Sequence, residues 1–163
     1  MGKESPIRVY DYVNHPYKAV RERLISGRMD IFHNATKGAS SRIQNLASEL
    51  HVNYGGFELS ADISIKIKNI HEHEKTAGSG PVTVIELEWE AARLTQLFPL
   101  MQAELTIYPL TSTETQLELS GKYEPPLGFF GTAMDSVAGR RIAQASVNQF
   151  ITDVAFYLRN DLK

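Results

Sequence analysis

Between residues 59 and 123 the apolar side chains of this 163-residue chain recur at every second position, and from about residue 134 they recur every three to four. That switch of period constrains the fold more than any other feature of the sequence. Leu59, Ala61, Ile63, Ile65 and Ile67 share one face, and Glu58, Ser60, Asp62, Ser64, Lys66 and Lys68 share the other. Thr83, Ile85, Leu87 and Trp89 oppose Val82, Val84, Glu86, Glu88 and Glu90. Met101, Ala103, Leu105 and Ile107 oppose Gln102, Glu104, Thr106 and Tyr108. In the last such run Thr115, Leu117, Leu119, Gly121 and Tyr123 oppose Gln116, Glu118, Ser120, Lys122 and Glu124. Alternation of this kind marks antiparallel strands with one covered and one wet face. An earlier run, "LASELHVNY", puts Leu46, Leu50, Val52 and Tyr54 on one parity and reads as a further strand. The joins "NYGG", "HEHEKTAGSGP" and "PLTSTE" carry turn chemistry, so the strands form a meander.

The segment from Met134 to Leu162 reads as one long amphipathic helix. Ala138, Ile142, Ala145, Val147, Phe150, Ile151, Val154, Leu158 and Leu162 form its apolar stripe. A helix of that length, on the order of 40 Å, has the covered face of the sheet as its partner. At the other end, "PIRVYDYV" (residues 6–13) suits a first strand. "HPYKAVRERLISG" follows as a helix with Asn14 as its N-cap, Pro16 in its first turn and Gly27 as its stop. Residues 28–45 are expected to hold a short second helix around Met29 to His33 and then a polar loop.

The length suffices for one domain over residues 1–163 with its own core. No cysteine is present, which removes disulfides, thiolate nucleophiles and cysteine-based metal sites. A formal charge of -2 gives no footprint for nucleic acid. No apolar run reaches the ~18 residues of a membrane span, and the N-terminus lacks a secretory h-region, so a cytoplasmic protein is expected. The wet face of the sheet is charged, which points to a monomer or weak dimer.

Chemistry-bearing motifs are few. His71 and His73 share one side of a strand end and offer two metal ligands, but a third has no nominee beyond His51, so no metal and no cofactor are expected. No Gly-x-Ser-x-Gly elbow or phosphate loop occurs, and no catalytic residue is nominated. Glu58, Asp62, Glu86, Glu88, Glu90, Glu104 and Glu118 all fall on the wet parity. The polar groups on the covered parity are Thr83, Thr115 and Tyr123, with the indole of Trp89; these suit either a core or the orientation of a mostly apolar ligand. Arg141, near the start of the last helix, reads as a surface side chain more readily than as a partner for an anionic head group.

The order strand, helix, meander, long C-terminal helix, with "LEWEAARLTQLFPLMQAELTIYPL" (87–110), "TETQLELSGKYEPPLGFFG" (113–131) and "AMDSVAGRRIAQASVNQFITDVAFYL" (133–158), resembles the START-like (SRPBCC) superfamily, and within it the bacterial polyketide cyclase/dehydrase and lipid-transport-like members. The resemblance implies an α+β helix-grip fold: an antiparallel curved sheet of six to seven strands around a long C-terminal helix, with one or two short helices after the first strand. It also implies a cavity between sheet and helix for a hydrophobic small molecule such as a lipid, isoprenoid or polyketide. Leu87, Trp89, Leu105, Leu119, Tyr123, Phe150 and Val154 are expected to line that cavity. Phe129 and Phe130, in the Pro- and Gly-rich join "GKYEPPLGFFG", are expected at its mouth. The function expected is that of a carrier or sensor. A cyclase/dehydratase-type enzyme and a protein-interaction module with a filled core stand as alternatives, and the sequence leaves open whether any reaction is catalysed.

Overall fold

The structure, a computed structural model, describes residues 5–49, 63–73, 80–91, 102–123 and 136–162. They form β1 (Ser5–Val13), α1 (Tyr17–Glu49), β2 (Ile63–His73), β3 (Val82–Ala91), β4 (Gln102–Thr111), β5 (Glu114–Tyr123) and α2 (Ser136–Asp161). The strands make a single antiparallel sheet in the order β1-β5-β4-β3-β2. β2 to β5 are the expected meander, and β1 returns to pair with β5. Both helices lie on one face. The architecture is α+β and helix-grip, with five strands among the described residues against the six to seven expected; Leu50, Val52, Tyr54, Leu59 and Ala61, in the runs that suggested more, lie outside those residues.

The period-two runs bury the faces their parity dictates. Thr83, Ile85, Leu87, Trp89, Ala103, Leu105, Ile107, Thr115, Leu117 and Leu119 are all buried. Registers align them in ladders that run across all five strands. One ladder is Ile67, Leu87, Ala103, Gly121, Ile7 and the next is Ile70, Ile85, Leu105, Leu119, Val9. The step from Ile67 to Ile70 is three residues because β2 carries a bulge between Ile67 and Asn69. A bulge adds one residue and bends the strand, and strict alternation in the sequence does not show it. A third ladder, Glu72, Thr83, Ile107, Leu117, Asp11, ends in a carboxylate at each edge. Each meets a helix arginine: Arg21 of α1 pairs with Glu72, and Arg159 of α2 with Asp11 at 2.9 Å. The two helices are thus fastened at opposite margins of the sheet.

The free edge of β1 is blunted in the same way. Pro6 has no N–H to offer. Tyr12 donates its N–H to Asp11 Oδ1 at 2.7 Å and its carbonyl accepts from Arg159 Nη2. The Arg159 guanidinium also lies 5.3 Å from the centroid of the Tyr12 ring.

The region after the first strand differs from expectation. α1 begins at Tyr17, with the Pro16 carbonyl accepting from Val20 N at 3.1 Å, so the cap position is Pro16 and not Asn14. Gly27 ends the first helical piece, as expected. It is a non-helical break (φ -120°, ψ 20°) between two helical pieces that continue to Glu49. The second piece begins where the short helix around Met29 to His33 was expected but runs on through the expected polar loop, and Leu46 is helical instead of belonging to a strand. The physical reason is tertiary. Ile31, Phe32, Ala35 and Ala39 are buried and recur at helical spacing, and burial of that stripe outweighs the weak helix propensity of the Asn, Gly and Ser residues around it.

Candidate functional site

The side chains expected to line a cavity converge beneath the two helices. Leu87, Trp89, Leu105 and Leu119 rise from three neighbouring strands, and Phe150 and Val154 descend from α2; each is at most 1% exposed. Trp89 meets Phe150 edge-on with centroids 5.2 Å apart, and Phe150 stacks on Phe32 of α1 at 6.1 Å. Phe32 belongs to the segment expected to be a short helix, and it was not among the expected lining residues. Tyr123 pairs with Ser5 at the end of the β1/β5 ladder; its side chain lies outside the described residues, as do Phe129, Phe130 and the mouth they were expected to form.

This region is apolar in a graded way. The ten inward positions of the first two ladders contain no titratable group. In the first of them the side chains shrink at the middle of the sheet to Ala103 and Gly121, which are direct neighbours. That strand pair carries a methyl and a hydrogen where its neighbours carry Leu and Ile. Apart from the Trp89 indole, the polar groups of the inward strand face begin at the third ladder and are engaged by the chain itself. Tyr17 Oη and Thr83 Oγ1 are 2.5 Å apart, and Thr115 Oγ1 donates to the His15 carbonyl at 2.8 Å. Arg141 is exposed.

A groove of about 870 Å³ opens on the opposite side of the sheet. Its wall includes Lys68, Asn69, Glu86, Gln102, Glu104, Ser120 and Lys122, of the wet parity or the bulge, together with Leu87, Ala103 and Gly121 of the first ladder. Much of that wall is already cross-linked: Asn69 Nδ2 donates to Glu86 Oε2 at 3.0 Å, Lys68 pairs with Glu88 at 3.0 Å, and His71 lies 3.4 Å from Glu86. Farther along the same face, burial and then the Glu118 carboxylate push the Tyr108 phenol above its ordinary 10.0. Among the described residues no three His, Cys, Asp or Glu side chains gather as a metal site, and His73 is exposed.

Between the helices, Asp153 of α2 faces Gly38 of α1. A Cβ on Gly38 would collide with Asp153 Oδ2 and lie 3.2 Å from its Cγ, so a side chain at position 38 would push the carboxylate aside. Gln149 Nε2 donates to Asp153 Oδ1 at 2.9 Å. Burial pushes the Asp153 carboxyl above its ordinary 3.8, and the Gln149 bond draws it partly back. Sequence reasoning missed this contact. The signal was the 31/35/39 spacing, which places Gly38 beside a buried stripe.

No protein-family model and no curated protein sequence matches the chain. Among solved structures, the chain is similar to the Zhui aromatase/cyclase from Streptomyces sp. R1128, with 13% identity, 98% of this chain and 94% of that one covered, and a TM-score of 0.48. It is similar to a protein from Thermus thermophilus, with 12% identity, coverage of 96% and 99%, and a TM-score of 0.44. It is also similar to norcoclaurine synthase from Thalictrum flavum, with 11% identity, coverage of 96% and 87%, and a TM-score of 0.41. No described helix is long and apolar enough to cross a membrane. The order of elements, the single antiparallel sheet and the long terminal helix laid on its inner face are those of the helix-grip fold.

Proposed function

We propose that the chain, acting as one domain over residues 1–163, binds a hydrophobic small molecule between the inner face of the sheet and its two helices, as a carrier or sensor. The observation that carries this reading is the inner face of the sheet: two successive ladders with no titratable group, whose side chains shrink to a methyl and a hydrogen at Ala103 and Gly121. Apolar walls with a few polar groups at one end suit a lipid, isoprenoid or polyketide-like ligand. Leu87, Trp89, Leu105, Leu119, Phe150 and Val154 are its proposed contacts, with Tyr123 at the end of β5 and Phe129 and Phe130 at the mouth. An enzymatic role of the cyclase/dehydratase kind needs an acid or base within reach of the ligand. Asp11 and Glu72, the carboxylates on the helix side of the described strands, are both engaged by arginines, which favours binding over chemistry. The blunted β1 edge is consistent with a monomer or weak dimer.

The test is native mass spectrometry of the purified protein together with titration of the neutral apolar dye Nile red. A co-purified apolar mass or saturable dye fluorescence is expected. Ala103→Leu should weaken dye binding by about tenfold or more by filling space above Ala103 and Gly121, with the urea midpoint near wild type. A filled core would instead lose roughly 1–3 kcal/mol to overpacking and show a lower midpoint. No added mass and no dye binding in wild type would sink the reading.

A further inference from the structure

The outer face of the sheet, opposite the proposed apolar site, is graded along the strands as the inner one is. Its side chains fall into register rows that cross the strands. One row is Tyr12, Gln116, Tyr108, and the next is Tyr10, Glu118, Thr106. A third is Arg8, Ser120, Glu104, Glu86, whose last three members line the groove of about 870 Å³. Tyrosines thus stand on both sides of β5, two strand spacings or roughly 10 Å apart at the backbone, with an amide and a carboxylate on the strand between them. Tyr10 and Tyr12 are 51% and 48% exposed, yet Tyr12 is held in place by the Arg159 guanidinium against its ring. Tyr108 is half-buried. Its phenol feels Glu118, Tyr10 and Arg8, so these four groups lie close together. Arg8 Nε pairs with Glu118 Oε1 at 3.0 Å while its own side chain stays 62% exposed.

What such a surface recognises follows from its mix of donors and acceptors. The Glu118 carboxylate only accepts, the Arg8 guanidinium only donates, and Gln116, Ser120 and the phenols do both. A polyproline strand offers carbonyls alone and cannot use a carboxylate. A hydroxyl-rich ligand uses every one of these groups, because each hydroxyl donates and accepts, and the C–H faces of its rings lie as apolar surface against aromatic ones. Charge narrows the class further. Arg8 neutralises Glu118, and Lys68 neutralises Glu88, so the face favours neither sign of ligand charge. The outward positions of β5 from Gln116 to Lys122 span about 20 Å, enough for several sugar rings. We propose that the outer face binds a neutral oligosaccharide along β5, its rings against Tyr10, Tyr12 and Tyr108, its hydroxyls on Gln116, Glu118 and Ser120, and its far end in the groove. This site is separate from the apolar one and does not rest on the proposed function.

The test is an amide-resolved NMR titration of the wild-type chain with cellohexaose, maltohexaose and chitohexaose. At least one of the three should give saturable shifts at residues 8–12, 104–110 and 114–122. Tyr10→Ser and Tyr108→Ser should each weaken that binding by about fivefold or more, and Gln116→Leu by about threefold or more. Thermal melts of the variants show that the fold is kept. Phe156→Ser removes a ring of similar exposure, 55%, from α2 and should leave the affinity unchanged. No shift with any of the three sugars would overturn the proposal, as would undiminished binding in the Tyr10→Ser, Tyr108→Ser double variant. Saturable binding of a decaproline peptide at the same amides, with no response to the sugars, would overturn it in favour of a peptide site. The titration does not depend on Nile red binding, so it decides this site whatever becomes of the apolar one.

Discussion

Arg159→Met isolates the fastening of α2 to the β1 edge. The substitution keeps the aliphatic stem and removes three contacts of one guanidinium: the Asp11 carboxylate at 2.9 Å, the Tyr12 carbonyl, and the Tyr12 ring at 5.3 Å. The Arg159 and Asp11 side chains are 33% and 20% exposed, so the ion pair is screened and worth roughly 0.5–1 kcal/mol. The carbonyl bond adds roughly 0.5–1 kcal/mol, because water can replace the donor at an open edge. The cation–π contact adds roughly 0.5 kcal/mol at such an exposed site. The sum is about 2 kcal/mol, or about 4–8 °C in Tm for a chain of this size. Urea denaturation should show a lower midpoint with an unchanged slope. The double variant Arg159→Met with Asp11→Asn should lose about 0.5–1 kcal/mol less than the two single variants added together. A Tm within about 1 °C of wild type, or strict additivity of the pair, would refute the claim that Arg159 fastens the helix to this edge.

Two further outcomes follow from the packing between elements. Asp153→Asn should raise stability at pH 7 by less than about 1 kcal/mol, the figure being kept small because the group is only partly buried. Its folded carboxyl titrates above the ordinary value, so wild type loses stability as pH rises through that raised value; the gap to Asn should close below about pH 3.8, and thermal melts from pH 3 to 7 check the sign. Phe150→Ala removes the ring shared by Trp89 and Phe32 and should cost about 3–5 kcal/mol, a large part of a total stability on the order of 5–15 kcal/mol. Near-ultraviolet circular dichroism should show the loss of the Trp89 signal before global unfolding.

The sheet was legible because period two is a strong signal wherever one face is covered. Parity alone placed Leu87, Trp89, Leu105 and Leu119 inward, and the 3.6-residue stripe placed Phe150 and Val154 against them. The second piece of α1 was hidden by composition. Asn34, Gly38, Ser40 and Ser41 favour turns in isolation, and only burial of Phe32 and its neighbours against α2 reverses that preference. The tethers Arg21–Glu72, Arg23–Asp161 and Arg159–Asp11 join residues 51 to 148 positions apart, a separation at which no local pattern pairs particular charges. The expected mouth around Phe129 and Phe130 falls outside the described residues and rests on the resemblance alone.

The bulge in β2 makes Lys68 a supernumerary residue. Without it Asn69 would follow Ile67 directly, and Ile67, Asn69 and Ile70 would alternate in, out, in with no side chain changing face. The inward pattern of the strand is therefore indifferent to the insertion, while its curvature is not. Deleting Lys68 is expected to flatten the margin of the sheet under α1 without turning any inward side chain outward. The width of the interior at that margin thus depends on one inserted residue and not on the identity of the wall residues.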